Sequence, residues 1–256
     1  MGFQLSYVNV KTAMSKSNLP GLDYSLNPYI GCYHSCIYCY ARLYCKPEIA
    51  ERWGEIVVVK KNIVELLKKE LREKNRGVVG LSTITDAYQP IEAKELITRQ
   101  VLEILLKNNF SVSIQTKSAL LLRDVDLISE NKEKVDVGVT ITTLDENLAK
   151  LIEPRASKPA DRVKVLEKLS SEKIKTWIFL GPIIPDLNEE DIKAIIEIAK
   201  STNSSLYYDR FRIKPFMKTG LVKELAEKSK KVDWQEVALK IRKFCFDAGV
   251  ESISAF

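Results

Sequence analysis

The chain has 256 residues, 45% of them hydrophobic and 29% charged, with 40 Lys and Arg against 34 Asp and Glu for a net charge of +6. That length supports a substantial core, and no apolar run approaches the ~20 residues needed to cross a bilayer. No basic segment followed by an apolar one opens the sequence, and five cysteines, an odd number, do not make a disulfide framework, so a reducing, cytoplasmic, membrane-free setting is expected.

The first strand is expected at "LNPYIG" (26–31), and the loop after it, "CYHSCIYCYAR" (32–42), packs three cysteines and the chain's single histidine into eight positions. The run "EIVVVK" (55–60) reads as a short strand or as the lead into a helix whose one face carries Ile63, Leu66, Leu67 and Leu71. Strands rich in β-branched and aromatic residues follow at 77–85, 111–116, 135–142, 174–181 and 205–213. Helices separate them: Ile97, Val101, Ile104 and Leu105 share one face, 161–171 fits another, and Ile192, Ile195, Ile196 and Ala199 repeat the pattern. A last helix fits 233–247.

Alternating β and α elements imply a parallel sheet with helices outside. Six such units are complete by residue 213, against the eight of a closed barrel. The expected fold is a partial (β/α)6 TIM-type barrel over roughly 23–213 with a helical C-terminal extension over 214–256, one domain spanning 1–256. The pattern alone also fits a doubly wound sheet.

The cysteines have the spacing C-x-x-x-C-x-x-C, directly after the first strand. Loops at the strand C-termini of parallel α/β folds converge on one face, where ligands bind. Three thiolates hold three irons of a 4Fe–4S cluster and leave the fourth iron open, as a catalytic zinc keeps one position free. The same residues also allow a tetrahedral zinc site of Cys32, Cys36 and Cys39 with His34 or Cys45. Cys45 and Cys245 otherwise read as buried apolar residues, and His34 as a hydrogen-bond partner that organises the loop.

With this loop, the stretches "LPGLDYSLNPYIGCYHSCIYCYAR", "STITDAYQPIE", "IQTKSALLLRD", "ITTLDENLAKLIEPRASKP" and "LGPIIPDLN" resemble the radical S-adenosylmethionine (SAM) superfamily, and within it the spore photoproduct lyase-like (DNA repair photolyase-like) branch. The resemblance implies one 4Fe–4S cluster on Cys32, Cys36 and Cys39, with SAM chelating the open iron and being cleaved to a 5′-deoxyadenosyl radical. It places Tyr38 against the adenine and implicates Tyr38 and Tyr40 in returning a hydrogen atom. Ser82, Thr83, Thr85 and Asp86 belong to "LSTITD", which ends the second strand, where the superfamily binds the methionine amino group. Their other reading is turn chemistry and helix capping. Lys117, or Arg155 bidentately, can pair with the cofactor carboxylate, and Thr140, Thr142, Thr143 or Glu153 can reach ribose hydroxyls. Glu153 and Arg155 can also simply pair with each other. Gly181 would let strand-five backbone approach the adenine. Ser35 stands where the branch often has Gly.

The branch points to a nucleic-acid substrate and to a reducing partner such as ferredoxin or flavodoxin. A radical enzyme for a peptide, lipid or metabolite is the alternative, and a zinc-stabilised binding module a third. The basic balance favours a polyanion mildly, and no Arg-rich stripe with interleaved aromatics is read from the sequence. Thr83 aligns with the hydrogen-donor cysteine of the lyases. A threonine O–H bond is too strong to quench a carbon radical, so strict thymine-dimer repair is not expected.

Overall fold

A computed structural model describes residues 2–256. Six parallel strands form its body: β1 (Tyr24–Leu26), β2 (Val78–Leu81), β3 (Ser111–Thr116), β4 (Val135–Thr140), β5 (Lys175–Ile183) and β6 (Ser205–Arg210). Each pairs with the next in chain order, in registers such as Leu26 with Leu81, Gln115 with Gly138 and Thr140 with Phe179. Met14–Lys16 adds an antiparallel strand outside β1, and Ser252–Ser254 a parallel one outside β6. These two edges do not pair with each other, so the sheet is a partial barrel.

Strand β3 shows why the sheet curves as it does. Val112 and Ile114 are fully buried in the core against the helix layer, where Val101, Leu102 and Leu105 of the helix Ile97–Lys107 also lie. Ser113 and Gln115 alternate to the inside, where Ser113 Oγ donates to Asp136 at 2.8 Å and Gln115 Nε2 donates to Thr140 Oγ1 at 3.2 Å. Trp177 Nε1 also donates to Asp136, at 2.7 Å. Gly138 makes that possible, since a Cβ there would stand 2.3 Å from the indole ring. An indole thus plugs the barrel below the strand ends.

The structure corrects several expected boundaries. "LNPYIG" is not one strand. Tyr24–Leu26 joins the barrel, while Tyr29–Ile30 pairs antiparallel with Ile56–Lys60 in a separate three-stranded sheet that also holds Gln4–Val8. Pro28 has no N–H to give a ladder, and the Asn27 side chain bonds outward instead, accepting from Ile84 N at 2.9 Å. "EIVVVK" is therefore a strand, though outside the barrel. Strand β2 stops at Leu81 because Ser82 takes a left-handed φ of +74°. The C-terminal extension holds the helices Gly220–Ser229 and Trp234–Ala248, and also the edge strand Ser252–Ser254.

Candidate functional site

All six strands end at one cavity of about 610 Å³. Its wall takes the cysteine loop after β1, Ser82 to Asp86 after β2, and Gln115 to Lys117 at the end of β3. Thr140 of β4, Phe179, Gly181 and Pro182 of β5, and Asp209 to Arg212 with Lys214 at the end of β6 complete it. This is the strand C-terminal face on which parallel folds bind ligands.

Cys32 and Cys36 are buried and Cys39 is half-buried; all three are free thiols that line the cavity. The loop is tied down at many points. Cys39 N donates to Cys36 O at 3.2 Å, Ile37 N to Ile152 O at 3.0 Å, and Tyr33 N to Gln89 Oε1 at 2.8 Å. The Thr85 hydroxyl donates to Gly31 O at 2.6 Å and accepts from Gln89 Nε2 at 3.2 Å. Ser35 adopts the left-handed region with φ +58°, the conformation a glycine would take freely. Gly54 makes room for it, because a Cβ there would lie 2.3 Å from Ser35 Cβ and Oγ.

The donor set fits an iron–sulfur cluster. Burial pushes all three thiols above their ordinary range, so holding them as thiolates takes the positive charge that a metal centre supplies. Backbone N–H groups of His34 and Ala41 bond Cys32 and Cys39 and favour the same charged form. The thiols surround a cavity; among the described residues no three His, Cys, Asp or Glu side chains meet as ligands of a single ion. Two further groups wait for a partner. Ser82 Oγ is buried with no hydrogen-bond partner among the described residues. The Lys117 ammonium lies 5.8 Å from the Tyr38 ring centroid and forms no ion pair among the described residues.

The residues expected at the site separate into two sets. Tyr38, Tyr40, Ser82, Thr83, Thr85, Asp86, Lys117, Thr140 and Gly181 line the cavity together with the three cysteines. Thr142, Thr143, Glu153 and Arg155 do not belong to its wall. Asp86 organises: it accepts from Thr116 Oγ1 at 2.8 Å, Lys117 N at 2.9 Å and Tyr88 N at 2.9 Å, and faces His34 Nδ1 at 3.3 Å. Burial alone would raise its carboxyl, but the His34 imidazole and these hydrogen bonds hold it down to about 2. His34 is thus the loop-organising partner expected. Thr83 Oγ1 accepts from Asn27 Nδ2 at 3.3 Å, and Thr83 O accepts from the Tyr40 hydroxyl. A Cβ on Gly181 would strike the Phe179 ring at 2.3 Å.

Behind this wall lies a buried network. Glu153 pairs with Arg162 at 2.5 Å and accepts from the Thr142 hydroxyl at 2.8 Å and from Tyr38 OH. Burial would raise Glu153, but the Arg162 and Lys117 charges and the two hydroxyls hold it down to about 2. The alternative Glu153–Arg155 pair does not form: Arg155 donates to Gly54 O and stacks over Tyr33 at 4.8 Å. Arg162, from the helix Pro159–Ser171, is 1% exposed and also donates to Thr140 O at 3.1 Å, tying the network to the cavity's edge. It was not among the expected site residues, for a helical arginine looks like any solvated charge. A second omission had a signal: "RFRIKPFMK" (210–218) interleaves cations with aromatics, and its first residues line the cavity.

A family model of the Radical SAM superfamily matches residues 26–199. An uncharacterized protein of Methanocaldococcus jannaschii is 37% identical over 207 residues, 81% of this chain and 77% of that protein. One of Acidianus two-tailed virus is 35% identical over 185 residues, covering 68% and 61%, and one of Mycobacterium tuberculosis is 30% identical over 198 residues, covering 73% and 58%. The chain spans about three fifths of the length of the viral and mycobacterial relatives. In fold it is similar to spore photoproduct lyase complexed with dinucleoside spore photoproduct, with a TM-score of 0.71 at 14% identity over 98% of this chain and 82% of that one. Streptococcus suis SuiB bound to S-adenosylmethionine gives 0.57 at 13% identity over 100% and 48%. Members of the superfamily work with a 4Fe–4S cluster and SAM. The match runs from the end of β1 through β5 and takes in the cysteine loop, and the chain accordingly belongs to the Radical SAM superfamily of enzymes.

Proposed function

We propose that this radical SAM enzyme acts on a nucleic acid, with the cluster on Cys32, Cys36 and Cys39 and SAM in the cavity beside it. The observation that supports the substrate reading is the cavity's two-sided mouth. On one side Tyr40 and Tyr44 are exposed and meet edge to face at 6.2 Å, next to exposed Leu43 and Leu19. On the other stand Arg210, Arg212 and Lys214. Arg212 pairs with Asp209 at 2.9 Å, while Arg210 and Lys214 have no carboxylate partner among the described residues. Open aromatic rings facing cations suit a polymer whose bases stack and whose phosphates carry charge. The lyase sharing this fold binds a dinucleoside, which agrees with the reading.

When bound, the cluster and SAM supply a one-electron cleavage of the sulfonium that yields methionine and a 5′-deoxyadenosyl radical. The chain's own groups bind and orient. The unpaired Lys117 ammonium suits the methionine carboxylate, and the unpartnered Ser82 hydroxyl suits a polar group of the same molecule. Phe179 and the Cβ-free Gly181 offer a flat wall for the adenine. Tyr38, between Cys36 and Cys39 in the chain, has its hydroxyl held by Glu153 and Thr142 while it lines the cavity. The Trp177 plug below closes the barrel floor, which helps keep water from a reactive radical.

Anaerobic reconstitution should give a brown protein with about four irons and an EPR signal on reduction. A colourless protein with one bound zinc would overturn the cluster reading. For the substrate, the log–log salt dependence of binding to single-stranded DNA should lose about 1.4 units of slope, about 0.7 for each cation, in a variant lacking both Arg210 and Lys214. Deuterium passing from labelled oligonucleotide into 5′-deoxyadenosine, read by mass spectrometry, would support the reading. Deuterium transfer only from a peptide, lipid or metabolite would replace it. Thymine-dimer DNA should not be repaired efficiently, because Thr83 offers no thiol; multiple-turnover repair by the wild type, quantified by chromatography, would contradict that.

A further inference from the structure

The chain's positive charge is concentrated in one stretch. From Arg210, the last residue of β6, to Lys231 stand eight Lys and Arg against two Glu, a net +6 that equals the charge of the whole chain and leaves 32 of each sign elsewhere. Part of it is matched nearby. Arg212 pairs with Asp209, Lys228 with Asp186 at 3.1 Å and Lys230 with Glu227 at 2.8 Å, and Lys223 adjoins Glu224 in the chain. Arg210, Lys214, Lys218 and Lys231 have no carboxylate partner among the described residues, and Lys218 and Lys231 are exposed.

Packing holds this stretch on the end of the barrel where the cavity opens. Ile184 and Phe211, the residues that follow β5 and β6, are buried in one cluster with Leu225 and Ala226 of the helix Gly220–Ser229. The Ser229 hydroxyl donates to Phe211 O at 3.1 Å, and Trp234 Nε1 donates to Ser229 O at 3.1 Å. The turn that carries Lys231 is thus fastened to Phe211, itself part of the cavity wall. Phe256 meets the Trp234 ring at 5.8 Å and lies beneath the Arg210 guanidinium at 5.8 Å, so the same turn stands beside the mouth. Lys218 reaches the mouth by the other flank. Met217 N donates to Lys214 O at 3.0 Å and Lys218 N to Phe216 O at 2.9 Å, and Lys214 lines the cavity.

We propose that residues 214–231 form a track for the phosphates of a nucleic-acid strand outside the cavity, with Lys218 and Lys231 as its contacts. The inference rests on the nucleic-acid reading above and adds a length to it. The cavity takes the reacting nucleotides, and the track takes those that flank them. Ammonium groups without a carboxylate partner are free to displace the counterions condensed on a strand, which sets both its affinity and its salt dependence. Because the rest of the chain balances its charge, the field draws a polyanion to this one end.

The test follows binding of single-stranded DNA to the anaerobically reconstituted enzyme by fluorescence anisotropy, using a dinucleotide and a strand of about 12 nucleotides. The probe variant is Lys218→Ala with Lys231→Ala. The control is Lys175→Ala with Lys200→Ala, exposed cations at the far end of the barrel, where β5 begins and the helix Ile192–Ser201 ends. The probe variant should bind the longer strand roughly 20-fold more weakly at about 0.1 M salt and lose about 1.4 units of log–log salt slope. Its dinucleotide affinity, iron content and SAM affinity should match the wild type, and the control should match it throughout. Unchanged affinity of the probe variant for the longer strand would overturn the track, as would equal losses in probe and control or on both lengths of DNA. A wild type that binds the longer strand no better than the dinucleotide would overturn it as well. A wild type that binds neither would sink the nucleic-acid reading itself, and that result is seen before any variant is made.

Discussion

Ser82 combines a left-handed backbone with a hydroxyl that is buried and has no partner among the described residues. An unsatisfied buried hydroxyl costs about 1–3 kcal/mol. Ser82→Ala should therefore leave thermal stability unchanged or raised, while SAM affinity by calorimetry falls about fivefold, roughly 1 kcal/mol. Stability raised with affinity unchanged would make the residue a strained turn and nothing more. Arg162 poses the opposite case. Arg162→Met strands the Glu153 carboxylate in the interior and should cost about 3–5 kcal/mol in urea unfolding. At this scale spacing alone marked Cys32, Cys36 and Cys39 as a group, and the structure places all three on the wall of one cavity. The sequence was read poorly where the partner is remote, since nothing local joins Arg162 to Glu153 and Tyr38. Thr142 and Glu153 were found, but as neighbours of the cofactor; the structure puts them one layer back, gripping Tyr38.

Elements with strong periodicity were legible. Ser111–Thr116 matches the predicted strand, and the helices Ile63–Glu70, Ile97–Lys107 and Ile192–Ser201 follow their apolar faces, because burial against one core fixes both strand alternation and helical spacing. Met14–Lys16 and Gln4–Val8 were not legible. They are short and largely exposed, so no alternation marks them. The break inside "LNPYIG" follows from Asn27 and Pro28, and Asn27 does more than end a strand. Its amide accepts from Ile84 N and donates to Thr83 Oγ1, joining the end of β1 to the turn after β2. Asn27→Ala should destabilise the fold by about 1–2 kcal/mol. Hydrogen exchange at the Ile84 amide should rise by more than at Ile114, a core-strand position; equal changes at both would assign the loss to global stability alone.

For the whole molecule, two buried carboxylates set the acid limit. Asp86 and Glu153 are both held at about 2, below their ordinary values of about 4. Depressed carboxyls stabilise the fold above the unfolded pKa, and that contribution is lost as pH falls through the folded one. The metal-free protein should thus lose stability between about pH 4.5 and 2, and Asp86→Asn should flatten that stretch of the curve, as measured by urea midpoints.

The unpaired edges of the sheet carry one more consequence. A closed ring of strands admits only what enters through its end. Here the first and last strands stand apart, and the residues beside the gap, Leu19 after one edge and Arg210 to Lys214 before the other, are among those at the cavity's mouth. If the proposed nucleic-acid substrate lies across this mouth, the middle of a strand should reach it as readily as an end, so circular and linear forms of one oligonucleotide should compete equally for it.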